Sequence, residues 1–334
     1  MTQDGRGLLE RLADGPILGD GGYLLELERR GWVQAGPFTP EVSITHPEAL
    51  VELHREFAAA GSEILQALTF YASEEKLATV GLAGRVDDIN RAAVAIANQV
   101  ADEVADGGRE RPLVAGGLSP TWVYENGDAA AAQRVADLFD QQLDVQVAGG
   151  VDLVICETFT SLGEATIAVE RAKQTGRPVV ATLGFHRGLH TDEGISAADA
   201  AAGLLDAGAD VIGVNCLRDP SGSLLVLSEM KAAVPDARLA CQPVGYHTTL
   251  AEPNFSARPE FPFALESIAL TRGEMAAYAL AAKEMGVGLI GSCCGSVAIH
   301  VRAMAVALGK LEDTERRWRA EHGRPMSAVE RHRA

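Results

Sequence analysis

One junction recurs along this chain: a helix-like segment ends on Ala-Gly or a similar small pair, and a β-branched apolar run begins within about two residues. It stands at Ala60-Gly61, Ala148-Gly149, Ala207-Gly208 and Met285-Gly286. Glycine directly after a helix supplies the left-handed residue on which helices commonly stop, so that a strand can start at once. Apolar runs at 16–18, 64–70, 113–117, 153–157, 178–183, 211–216, 239–244 and 287–293 then read as eight strands. Helical stretches at 45–60, 87–104, 129–147, 164–174, 197–207, 224–233, 272–285 and 298–308 fill the intervals. In the first of these Leu50, Leu53 and Phe57 share a face, and Thr45 with Glu48 has capping-box spacing.

Eight strands alternating with helices over about 300 residues match the length and order of a (β/α)8 TIM barrel. An open parallel sheet shares the alternation, but one of this size usually divides into two domains, and no linker-like shift in composition marks a second. The expectation is therefore an α/β chain with a single-domain (β/α)8 barrel over 1–311. Residues 312–334, rich in Arg and Glu, read as a solvated tail or an arm used in assembly.

Of the 334 residues 47% are apolar, enough for a sizeable core. Forty-six acidic against 29 basic residues give a net charge of -17, the wrong sign for neutralising phosphates or anionic lipid. Nucleic acid and membrane are thus excluded as expected partners, while a homo-oligomer stays open. Residues 1–11 carry Asp4 and Glu10 and no long apolar stretch, and nowhere does a run approach the ~18 apolar residues of a spanning helix. A soluble, cytoplasmic chain is expected. Its five cysteines, an odd number, suit reduced thiols better than a disulfide framework.

In a barrel, catalytic groups gather at the carboxyl ends of the strands. Asp20 follows strand one, Thr69 and Tyr71 end strand two, and Glu157 ends strand four. Cys216 ends strand six, Gln242 lies late in strand seven, and Cys293 with Cys294 ends strand eight. GVNC (213–216) and GSCCG (291–295) would therefore bring three thiols to one mouth, strands six and eight being two apart in the ring. Three thiolates suit zinc and leave a fourth tetrahedral position for substrate. Adjacent residues on a strand point to opposite faces, so a vicinal pair can share a metal only where the strand breaks, as Gly291 and Gly295 allow.

A buried cysteine is commonly just a small hydrophobe, and Cys156 and Cys241, inside apolar runs, are read as core. His186, His190 and His247 fall in loops on the same side but lack HExxH spacing and are not expected as ligands. GDGG (19–22) lacks the rest of a phosphate-loop motif and is read as a tight turn that presents Asp20.

The blocks GDGGYLLELERRGWVQAGPFTPE, HPEALVELHREFAAAGSEILQALTFYASEEKL, GVNC, QPVGYHT, EFPFALE and GSCCG resemble the betaine-homocysteine S-methyltransferases, collinearly over about 19–308. Those enzymes lie within the wider zinc-dependent homocysteine methyltransferase family. The resemblance implies Zn2+ held by Cys216, Cys293 and Cys294, and L-homocysteine near Asp20 and the catalytic Glu157. It also implies a methylated onium donor beside Phe38, Phe70 and Tyr71, with Gly21, Gly22 and Gln242 completing the substrate-binding set. Phe38 stands where betaine-using members carry Trp, Thr158 where a Tyr follows the glutamate, Ala67 where a Thr is usual, and GSCCG replaces GGCCG.

The implied reaction moves a methyl group from glycine betaine to homocysteine, giving methionine and dimethylglycine. A sulfonium donor such as dimethylsulfoniopropionate or S-methylmethionine is the sister reading. A non-catalytic zinc or redox thiol sensor is the rival from another class. Zinc-assisted hydrolysis is disfavoured because three thiolates make the metal a poor Lewis acid.

Overall fold

Along each strand alternate side chains face the barrel axis and the surrounding helices, and the sequence is sorted accordingly. The computed structural model describes residues 6–33, 40–314, 320–324 and 326–327. Its strands are β1 (Ile17–Leu18), β2 (Ile64–Gln66), β3 (Leu113–Leu118), β4 (Leu153–Phe159), β5 (Val179–Leu183), β6 (Val211–Asn215), β7 (Leu239–Gln242) and β8 (Val287–Ile290). All pair in parallel, in the order β1-β8-β7-β6-β5-β4-β3-β2. The two end strands meet across a seam where Glu63 N donates to Leu18 O at 2.8 Å. Leu18 N answers by donating to Glu63 Oε2 at 2.8 Å. The ring is thereby nearly closed, as expected for a (β/α)8 barrel.

Inside it, Ile17, Ile64, Leu113, Leu153, Val180, Val211, Ala240 and Leu289 form one apolar cluster to which every strand contributes. Leu8, from the short helix Leu8–Asp14, joins this layer and Leu12 packs against it. The opposite strand faces, including Val114, Cys156, Ile212 and Cys241, are buried against the outer helices. Cys156 and Cys241 are fully buried there, as the sequence suggested. No helix among the described residues is long and apolar enough to cross a membrane.

Several boundaries differ from the sequence reading. The expected helix at 45 begins instead at Pro47, after a separate short helix Val42–Thr45, and no side chain caps it. Thr45 Oγ1 donates to Glu41 O at 3.0 Å, so the Thr45–Glu48 capping box does not form; proline at the first helical position needs no N–H partner. Leu50, Leu53 and Phe57 are nonetheless fully buried.

Strands 64–70, 211–216 and 287–293 stop early, at Gln66, Asn215 and Ile290. Thr69, Tyr71, Cys216, Cys293 and Cys294 therefore lie on loops beyond the ladder rather than at strand ends. For β6 the cause is visible in the backbone: Cys216 and Leu217 have φ of 55° and 57°, which turns the chain out of the ladder directly after Asn215. Tyr71, in the loop after β2, has φ 58°, and Thr158, at 61°, marks the irregularity inside β4.

Candidate active site

Two residues above the apolar layer, the axis-facing positions turn polar. Continuing the alternation from Ile64, Ile155, Val211 and Ala240 brings Gln66, Glu157, Asn215 and Gln242 onto the axis at the carboxyl-terminal face. Gln66, Glu157 and Gln242 line a cavity of about 210 Å³ together with Asp20, Cys216, Cys293 and Cys294, and Asn215 is hydrogen-bonded to Glu157 from outside that lining.

The thiols are gathered by the segment after β7. Cys216 N donates to Gln242 O at 2.9 Å, Cys293 N to Pro243 O at 2.8 Å, and Gly245 N to Cys294 O at 2.8 Å. Four residues of main chain, 242–245, thus strap all three cysteines. Cys216 Sγ lies 3.7 Å from Cys294 Sγ, and Cys294 Sγ lies 4.0 Å from Cys293 Sγ. The three sulfurs fall within 4.8 Å of one another. Thiolates on a tetrahedral zinc with bonds of about 2.3 Å stand about 3.8 Å apart, so the trio fits one face of such a site. Hydrogen bonds from Cys293 and Cys294 to the Cys216 sulfur bring it well below the usual thiol range. The other two rise, chiefly through the same sharing with Cys216.

Glycine makes the tight geometry feasible at two places. Gly295 has φ 81°, and a Cβ on it would collide with the Tyr246 ring. A Cβ on Gly22 would sit 2.8 Å from the Cys293 carbonyl, while Gly22 N donates to Ser296 O at 3.0 Å. Gly21 and Gly22 line the cavity by letting the loop after β1 lie against the cysteine loop.

Two carboxylates face these sulfurs. Asp20 Oδ2 accepts from Tyr23 OH at 2.6 Å and from Gln66 N at 2.8 Å, so the acid bridges the β1–β2 seam rather than capping its own turn. Glu157 sits where β4 carries one residue more than β5 between Cys156 and Phe159, a bulge that re-aims its side chain. Its Oε1 accepts from Gln66 Nε2, and its Oε2 accepts from Asn215 Nδ2 at 3.0 Å. Asn215 is itself fixed: Thr158 N donates to its Oδ1 at 2.8 Å. Neither acid has an ion pair with a described residue, which leaves their charge uncompensated. Burial raises Asp20 to about 7, partly offset by Tyr23 and Gln66. Burial, then the neighbouring Cys293, raises Glu157 to about 8.

On the β2 side Phe70 and Tyr71 line the cavity with ring centroids 4.2 Å apart, and Trp122 meets Tyr71 edge-on at 5.9 Å. Phe255 and Phe261 close the opposite wall. Phe38 lies outside the described residues. His186 and His247 face Asp192 and Glu274, and neither they nor His190 line the cavity.

Gln66, Asn215, Tyr23 and Trp122 were not singled out from the sequence. For Gln66 and Asn215 a signal exists: each lies an even number of residues beyond an inward apolar position of the same strand. Tyr23 and Trp122 carry no comparable periodicity.

Fold and site together define a barrel protein with a three-thiol centre and two unpaired acids at its carboxyl-terminal mouth. The chain belongs to the homocysteine S-methyltransferase family, whose sequence profile matches residues 17–308. Among curated relatives, betaine–homocysteine S-methyltransferase 1 of Danio rerio is 44% identical, covering 91% of this chain and 76% of its own. An S-methylmethionine–homocysteine S-methyltransferase of Pongo abelii is 40% identical, covering 91% and 81%. Among solved structures, the metallated homocysteine methyltransferase MmuM of Escherichia coli superposes with TM-score 0.73 at 19% identity, over 89% of this chain and 99% of that one. At that identity the match speaks to the fold.

Proposed function

We propose that this enzyme methylates L-homocysteine with glycine betaine, giving methionine and dimethylglycine, on a zinc ion held by Cys216, Cys293 and Cys294. The observation that carries the reading is the triangle of sulfurs beside two buried acids with no cationic partner among the described residues. Zinc held by Cys216, Cys293 and Cys294 would supply the acidity that keeps a substrate thiol ionised at neutral pH. Relatives 44% identical and named for betaine as donor support that choice of donor. A cytoplasmic setting suits thiols that must remain reduced.

Asp20 and Glu157 receive the α-ammonium of homocysteine, and this cation returns both to their ionised forms. Gln66 and Asn215 hold the acids in position, so little reorganisation accompanies binding. Phe70 and Tyr71 offer ring faces to the donor's quaternary ammonium, which cannot accept or donate hydrogen bonds. Leu68, Phe255 and Phe261 keep water from the reacting atoms. The homocysteine sulfur lone pair forms the new bond to the methyl carbon. The C–N bond breaks with its electron pair on nitrogen, and dimethylglycine leaves neutral at that atom.

Donor competition tests this. Zinc-loaded protein with L-homocysteine is expected to form methionine from glycine betaine in preference to dimethylsulfoniopropionate or S-methylmethionine. Turnover with the sulfoniums and none with betaine moves the assignment to a sulfonium donor. Zinc binding and reversible oxidation without methionine from any donor would favour a thiol sensor.

A further inference from the structure

Next to the aromatic wall sits a cation with no acidic partner among the described residues. Lys76, on the short helix Glu74–Ala78, places its Nζ 4.4 Å from the Tyr71 ring centroid and 3.9 Å from that of Trp122. The chain has 46 acidic residues, yet none of those described pairs with this ammonium. The acids on its own helix are engaged elsewhere: Glu74 accepts from Gly84 N at 3.0 and 2.9 Å, and Glu75 pairs with Arg134. Ring faces hold such a charge in place without neutralising it. Partial burial without a counter-ion also pushes the Lys76 pKa down. The two rings are presented by left-handed backbone, φ 58° at Tyr71 and 70° at Trp122, a conformation that costs energy outside glycine and gathers at functional sites.

We propose that Lys76 is the counter-charge for an acid group on the methyl donor, and that it makes the mouth select zwitterionic oniums over bare cations. The inference rests on the methyl-transfer reading above and extends it to donor specificity. Tyr71 is shared: its ring lines the cavity, which Lys76 does not, and the same ring carries the Lys76 ammonium 4.4 Å from its centroid, so an onium on the aromatic wall is one ring away from a positive charge. A bare quaternary ammonium or sulfonium meets only repulsion there. A donor whose carboxylate lies a few bonds from its onium can direct that carboxylate to Lys76, exchanging repulsion for an ion pair at the edge of a desolvated site. The lysine stem is long enough to follow the carboxylate, and Tyr71 and Trp122 keep it near the mouth when no donor is present.

The test compares wild type with Lys76→Met in the full-length, zinc-loaded enzyme. Glycine betaine and dimethylsulfoniopropionate, which carry a carboxylate, are set against trimethylsulfonium, which does not. The expected result is a loss of about tenfold or more in kcat/KM for the first two, mainly through KM, with trimethylsulfonium unchanged or improved. Lys76→Arg, which keeps the charge and can stack on both rings, should restore most of the loss. An equal loss for all three donors, or no loss for any, overturns the proposal. If wild type forms no methionine from any donor, the methyl-transfer reading fails on its own account. The charge test then passes to equilibrium binding of N,N-dimethylglycine against tetramethylammonium, followed by indole fluorescence, where only dimethylglycine should weaken in Lys76→Met.

Discussion

The two sides of the barrel mouth are built by different means. On the β6–β8 side the main chain does the holding: residues 242–245 bond to each of the three cysteines, and the sulfurs are left little freedom. On the β2–β3 side Phe70, Tyr71, Trp122 and Lys76 are held by ring packing and cation–π contact, and Trp122 is 69% exposed. The comparison leads us to expect the sulfur half to be all-or-none, because replacing one cysteine removes a corner of a shared triangle. The aromatic half, proposed to receive the donor, is expected to be graded, each ring contributing a modest and separable share.

The largest effect is expected where the sulfur half is broken. Cys216→Ala should reduce bound zinc from about one per chain to below about a tenth and methionine formation by at least about 10³-fold. Metal analysis alongside initial rates checks this. Cys241→Ala, one strand away but facing the outer helices, should keep its zinc and lose only about 1–2 kcal/mol of stability. If Cys216→Ala retained metal and rate, the two halves would not differ in the way described.

Next in size is Glu157→Gln, which leaves the shape of the site but removes a charge. Catalytic efficiency with L-homocysteine should drop about 100-fold, whereas 4-mercaptobutanoate, which lacks the amino group, should be little affected. Equal losses for both thiols would make Glu157 structural rather than an ammonium receptor.

Much of this layout was legible in the chain itself. The Ala-Gly junctions and eight apolar runs carried the barrel, and the positions of Asp20, Glu157, Cys216 and the Cys293–Cys294 pair after those runs carried the convergence at the mouth. Strand ends were misread because apolarity outlasts pairing: Ala67 and Leu68 are buried although β2 has ended. Thr45 and Glu48 had the spacing of a cap, but the helix starts at Pro47, which leaves Thr45 in the preceding short helix and Glu48 within the first turn. Gln66 and Asn215 escaped notice because a single inward amide resembles any other polar residue until the strand's phase is known. Lys76 and Trp122 meet only through the fold, and nothing in their separation along the chain announces it.

A third prediction concerns pH. In the ligand-free protein burial raises Asp20 from 3.8 to about 7 and Glu157 from 4.5 to about 8. Folded values above unfolded ones mean that the native state binds protons the unfolded chain has released. Their contribution to stability is therefore fully present below the unfolded values and is lost as pH rises through the folded ones. Thermal melting of metal-free protein should fall between about pH 4 and about pH 8, and the Asp20→Asn/Glu157→Gln double variant should flatten that fall. An unchanged slope in the double variant would assign the trend to other groups.

The smallest effect belongs to the donor half. Phe70→Leu should raise KM for glycine betaine by about 2- to 30-fold, the span of one cation–π contact, with zinc content and KM for homocysteine unchanged. Loss of zinc in this variant would show that the halves are coupled.

The central claim is that three cysteine sulfurs hold one zinc and leave a position for the substrate's own sulfur. Zinc K-edge X-ray absorption on the loaded enzyme measures this directly. The account predicts three sulfurs at about 2.3 Å without substrate and four after L-homocysteine is added. Fewer than three sulfurs in the resting enzyme, or no fourth sulfur with homocysteine bound, would contradict it.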